Sequence, residues 1–138
     1  MHQFFENQSA KIYYDSNLGA MVLEYTNRVV NHEQFVVINT ALLEAYKKQR
    51  ATKFVADIRK MGVISIESQK WVVDILLPGL VKHLNGKSPV VVQLLDESEV
   101  FARIAGNNIK QKSVDIAKDF QVIQFIDRTK MEAYLRSV

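Results

Sequence analysis

The sequence has no cysteine, two prolines, five glycines and three histidines in 138 residues. Without cysteine there is no disulfide framework, no thiol nucleophile and no cysteine-ligated zinc. The histidines are His2, His32 and His83. None has a second ligand three or four positions away on a helix, so no metal-site or catalytic-triad spacing is present. No cofactor is implied. The glycines nowhere gather into a phosphate-cradling loop. Net charge is small: 18 Lys+Arg against 15 Asp+Glu, or +3. The pI of 9.1 therefore reflects a slight excess. Lys47, Lys48, Arg50 and Lys53, and later Lys110, Lys112 and Lys118, sit near expected helix ends without interleaved aromatics. That pattern excludes the stacking platform of a nucleic-acid binder. Long apolar runs are missing too. The longest, around residues 71–81, is interrupted by Asp74 and Pro78 and falls short of the roughly 20 residues of a membrane span. The opening MHQFFENQSAKIYYD has neither the basic start nor the apolar run of a signal peptide. The expectation is a cytoplasmic protein with no stable membrane insertion.

What is present is the composition of a folded domain, 48% hydrophobic and 24% charged. The length fits one domain spanning residues 1–138. Lys11–Asp15 and Ala20–Tyr25 read as a hairpin around the turn residues 16–19. Asn31, with Gln34 three positions on, caps a helix running to about Arg50. Phe54–Asp57 is a buried strand. Ser65 caps a second helix, Ile66 to Leu84, ended by Asn85-Gly86. Pro89–Leu95 is the clearest buried strand. Asp96 and Glu99 mark the start of a third helix to about Gln111. Phe120–Ile126 is a further strand, and Asp127 caps a last helix with Met131, Tyr134 and Leu135 on one face. The order β-β-α-β-α-β-α-β-α predicts an α/β fold: a mostly parallel sheet of four to five strands, four helices and an N-terminal hairpin strand.

Two segments carry the functional expectation. The second helix, WVVDILLPGLV, is apolar nearly all round, and Pro78 removes an internal hydrogen bond from it. Trp71, Ile75, Leu76 and Leu80, with Phe101 and Ile104 of the third helix, are expected to line an apolar pocket or a contact surface. The loop Asp57–Ser65 lies where parallel sheets usually bind ligands, beyond a strand's carboxyl end. There Asp57, Arg59, Lys60 and Ser65 are the candidate binding residues, with Asp57 expected to brace the turn. Glu97 and Glu99 complement a helix N-terminus, and no nucleophile–base constellation joins them, so no catalytic residue is assigned and the protein is not expected to be an enzyme. Gln93 and Gln124 interrupt two apolar strands at matching positions. They are expected to bond to each other or to line a polar spot in a cavity.

Asp57, the loop RKMGVIS and the helix ESQKWVVDILLP, followed by VVVQLLDESEVFARIAGNNI and FQVIQFID, resemble the SpoIIAA-like, or STAS-like, family of small bacterial proteins, a group compared with both STAS and CRAL-TRIO-type domains. The resemblance covers roughly Ile12 to Leu135. It implies a β-α superhelix and a binding or regulatory role. Ile64–Ser68 does not match the Asp-Ser-Ser-Gly type motif of phosphorylated members, and N-capping accounts for Ser65. The expected function is a non-enzymatic module that binds a protein partner, itself included, as a homo-oligomer. The alternative is a carrier or sensor of an apolar small molecule or lipid beside the second helix.

Overall fold

Six strands lie side by side in one sheet in the order in which the chain produces them. This is a computed structural model, and it describes residues 2–96 and 121–138. The strands are β1 (His2–Glu6), β2 (Ala10–Asp15), β3 (Ala20–Tyr25), β4 (Lys53–Asp57), β5 (Val90–Leu94) and β6 (Gln121–Phe125). The pairs β1/β2 and β2/β3 are antiparallel, and β3 through β6 are parallel. The fold is α/β with a mixed sheet. Sequence reading missed β1, so the expected four to five strands become six. Its pairing shifts register between Gln3 and Phe5, and such an irregularity breaks the alternation that marks a strand in sequence.

Among the described residues, three helical stretches flank the sheet. α1 (His32–Lys48) starts at Asn31, whose side chain accepts from the Gln34 N–H at 2.8 Å. Gln34 Oε1 in turn accepts from the Val30 N–H. The second stretch is α2 (Ile66–Trp71), a π-helical turn (Val72–Leu76) and α3 (Leu77–His83) in succession. Pro78 has no N–H, and its ring crowds the carbonyl four residues earlier. The turn before it is correspondingly widened, with the Leu77 N–H reaching Val72 O five residues back. The stretch closes with Asn85 N–H on Lys82 O and Gly86 N–H on Val81 O, a Schellman ending. α4 (Arg128–Ser137) is capped by Asp127, which accepts from the N–H groups of Thr129 and Lys130. The expected third helix, with Glu97, Glu99, Phe101 and Ile104, lies outside the described residues.

Strand order decides where the helices go. Right-handed crossovers between parallel strands that always advance the same way fall on the same side of the sheet. α1 joins β3 to β4, and α2–α3 joins β4 to β5. Both pack on the face formed by Ile12, Met21, Leu23, Tyr25, Phe54, Ala56, Val91 and Val122. The opposite face, with Tyr13, Val22, Val55, Val92 and Leu94, is covered by Met131 and Leu135 of α4. α1 and α3 approach closely: a Cβ on Gly79 would stand 2.7 Å from Leu43 Cδ2.

The second helix divides into a buried side and an exposed one. Val72, Leu76, Leu77 and Leu80 are buried, while Asp74 and Lys82 are exposed and Ile75 is 46% exposed. It packs on the crossover face and turns its other side to solvent.

Candidate functional site

The starts of α1 and α2 meet across a cleft. Val29, Val30, Asn31 and His32 form one side, and Val63, Ile64, Ser65 and Ser68 the other, enclosing about 310 Å³. The loop before α2 is pinned so that it faces this way. Ile58, Met61 and Ile64 are buried anchors. The Ile58 N–H donates to Leu94 O at 3.0 Å, and the Val29 N–H donates to Met61 O at 3.1 Å. Gly62 has φ +76 and lies against the Arg28 side chain, a backbone conformation that a side chain would strain.

The floor of the cleft is polar. Ser65 Oγ caps α2 by accepting the Ser68 N–H at 3.0 Å, and its hydroxyl donates to Ser68 Oγ at 3.1 Å. Ser68 Oγ lies 2.9 Å from His32 Nδ1, and His32 Nε2 lies 3.2 Å from Glu67 Oε1. Of the apolar lining, Val30 and Val63 are 77% and 51% exposed; Ile66, the first residue of α2, is 83% exposed but does not line the cleft.

The other predicted residues are placed elsewhere. Asp57 is buried at the end of β4 and accepts three bonds from Arg59: the backbone N–H at 3.3 Å, Nε at 3.0 Å and a terminal guanidinium nitrogen at 2.8 Å. This fork raises the Arg59 pKa, opposed by partial burial. Asp57 therefore braces its turn, as expected, and Arg59 is committed to it. Lys60 is exposed. Among the described residues no hydrogen bond or ion pair joins the Asp57–Arg59 pair to Ser65. Trp71 is half-buried, edge-on to Phe35 with ring centroids 6.4 Å apart. Leu76 and Leu80 belong to the core.

Beneath the π-helical turn lies a cavity of about 60 Å³, lined by Val72, Leu76, Leu77, Phe35 and the sheet. Its polar lining is Tyr25, Asn39 and Gln93. Asn39 Nδ2 donates to Tyr25 Oη at 3.1 Å. Burial pushes the Tyr25 phenol pKa well up, against the bond from Asn39. Gln93 and Gln124 are register partners on β5 and β6, and Gln124 Nε2 donates to Gln93 Oε1 at 3.1 Å. The two amides thus bond to each other, and Gln93 also lines the cavity.

Sequence reasoning missed the association of His32 with Ser68, because 36 positions separate them. It also missed Val30, Val63 and Ile66 as exposed. An aliphatic residue beside a helix cap is common in sequence, so nothing local marked them as exposed. Among the described residues no group of three or more His, Asp or Glu side chains is placed to hold a metal. No helix among them is long and apolar enough to cross a membrane. No family model, curated protein or solved structure matches the chain.

Proposed function

We propose that the chain is a STAS-like module that docks a protein partner in a regulatory role, a second copy of itself being the first partner to test. The observation that carries this reading is the apolar rim of the cleft. Val30 and Val63 of the cleft, and Ile66 next to Ser65 in the chain, leave more than half of their surface in water. Scattered exposed aliphatics are ordinary, but a cluster around a cleft marks a contact surface. An apolar patch with satisfied polar groups at its centre has the make-up of a protein interface. The family part of the proposal draws support from the sheet. Parallel strands in sequence order, with α1 and α2–α3 on one face, have the arrangement of a β-α superhelix.

Sedimentation velocity over a concentration series tests the proposal. The native chain is expected to associate reversibly. The double variant Val30→Ser/Ile66→Ser is expected to sediment as a monomer, with stability changed by no more than about 0.5 kcal/mol, as for exposed sites generally. A native chain that stays monomeric throughout removes the self-docking form.

The apolar-ligand reading comes second and rests on the cavity under the π-helical turn. At about 60 Å³ it is well below the roughly 150 Å³ that admits benzene in an engineered core. A small molecule retained in native mass spectrometry would reverse this order.

A further inference from the structure

We propose that Ser65 is a nucleophile that takes an acyl group from an activated ester, through a proton relay running Ser65–Ser68–His32–Glu67. This goes beyond docking and does not depend on it. The direction of the relay follows from what each group can donate. A carboxylate only accepts, so His32 Nε2, 3.2 Å from Glu67 Oε1, carries the ring proton. Nδ1 of the neutral imidazole is then the acceptor, and Ser68 Oγ at 2.9 Å donates to it. Ser68 Oγ accepts in turn from the Ser65 hydroxyl at 3.1 Å. The Ser65 and Ser68 protons are thus both directed towards the imidazole.

Capping does not account for this arrangement. A cap needs only Ser65 Oγ to accept the Ser68 N–H. It does not require an imidazole from the other helix, nor a carboxylate beyond that imidazole. Exposure divides along the relay in a useful way. Ser68 is 1% exposed, whereas Ser65 faces solvent. The buried hydroxyl therefore connects a solvent-facing oxygen to a base it does not touch. Activation of a serine by an adjacent base that a third group orients is the general logic of covalent catalysis. Val29, Val30, Val63 and Ile64 wall the cleft beside Ser65, which suits a short aliphatic acyl chain.

In the step, Ser65 Oγ attacks the carbonyl carbon and a new C–O bond forms. Its proton passes to Ser68 Oγ as the Ser68 proton passes to His32 Nδ1. The resulting imidazolium faces the Glu67 carboxylate. The bond to the leaving group then breaks, its electron pair departing on the phenolate oxygen, and the imidazolium releases its proton to solvent. One ester and one hydroxyl become one acyl-serine, one phenolate and one proton. Glu67 is a positioning residue: it holds the ring in the tautomer that leaves Nδ1 free to accept.

The test uses the full chain and p-nitrophenyl butyrate. A stoichiometric burst of p-nitrophenolate is expected, with peptide mapping placing the butyryl group on Ser65. Ser65→Asn keeps a capping acceptor without a hydroxyl, and it should abolish the burst while the fold, followed by circular dichroism, is retained. His32→Gln should slow the burst about 100-fold or more and flatten its pH–rate profile. Acylation confined to lysines, or a Ser65 adduct that forms as fast in His32→Gln as in the native chain, would overturn the proposal. Self-association is read by sedimentation and acylation by mass, so either reading can fail alone.

Discussion

The two faces of the sheet come from the same alternating strands but are covered by different means. On the crossover face, α1 and α2–α3 bury a continuous layer of Leu, Met, Phe and Tyr. On the other, among the described residues, the row Val22, Val55 and Val92 lies under the short helix α4. That second face also carries charge: Lys11 with Glu24, Asp57 with Arg59, and Arg128 with Glu132. Tyr13 lies among these charges, and burial together with the Glu24 carboxylate raises its pKa against the pull of Arg128. The difference teaches where a helix is free to go. A crossover is committed by handedness to one side. α4 follows β6 without joining it to another described strand, so no such constraint applies, and it takes the face opposite α1 and α2–α3.

The widest contrast between the faces should appear when each loses a leucine. Leu80 and Leu135 are both fully buried. Core Leu→Ala substitutions cost roughly 2–5 kcal/mol, depending on how far the surroundings relax. Leu80→Ala, held between α1 and the sheet, is expected at about 4 kcal/mol. Leu135→Ala, near the end of α4, is expected at about 2.5 kcal/mol, because that helix end can settle inward. Urea unfolding measures both, and equal losses would erase the distinction.

A smaller effect is expected from the amide pair on the crossover face. Gln93→Leu removes the acceptor of the half-buried Gln124 amide and should cost about 1 kcal/mol, the usual worth of one hydrogen bond. Adding Gln124→Leu should recover most of that loss. A double variant no better than the single one would show that the amides do not act as a pair.

The smallest effects belong to two tyrosines on the same face. Tyr25→Phe removes one of the two acceptors of Asn39 Nδ2, which keeps Phe35 O, and should cost about 0.5 kcal/mol at neutral pH. Among the described residues Tyr46 Oη is buried without a hydrogen-bond partner, so Tyr46→Phe should be neutral or slightly stabilising. Alkaline titration sharpens this. Burial raises the pKa of both phenols in the folded chain. Above the unfolded value of about 10 the unfolded chain therefore binds fewer protons, and stability falls as pH rises. The unfolding midpoint should hold steady below about pH 9 and drop beyond about pH 10, less steeply in either Phe variant.

The fold was legible where a signal is local. Asn31, Ser65 and Asp127 sit at the helix starts that their side-chain chemistry marks, and the matched positions of Gln93 and Gln124 anticipated their bond. β1 was hidden because its irregular register spoils alternation. The π-helical turn was hidden in detail, since Pro78 announces a disturbance without saying which hydrogen bond will stretch to absorb it. The site was half legible. Ser65 is named by its capping role, but its link to His32 exists only once two crossovers have placed two helix starts side by side. The exposure of Val30 and Ile66 was equally closed to sequence, because an aliphatic residue reads as core until the surface is known.

Sequential strand order also bears on how the molecule is made. From β2 to β6, each strand can be added to an edge already in place as the chain emerges during synthesis, with no need to insert between strands laid down earlier. Each crossover helix is finished before the strand that follows it, and it can dock at once on the face then being extended. Each parallel pairing still closes more than 30 residues, as in Ala20 with Lys53 and Lys53 with Val90, the slow step of many sheets, but each closure adds one strand to one edge. The growing edge is meanwhile open to other chains until its next strand arrives, so assembly in the direction of synthesis shortens the search and sets the interval of greatest risk.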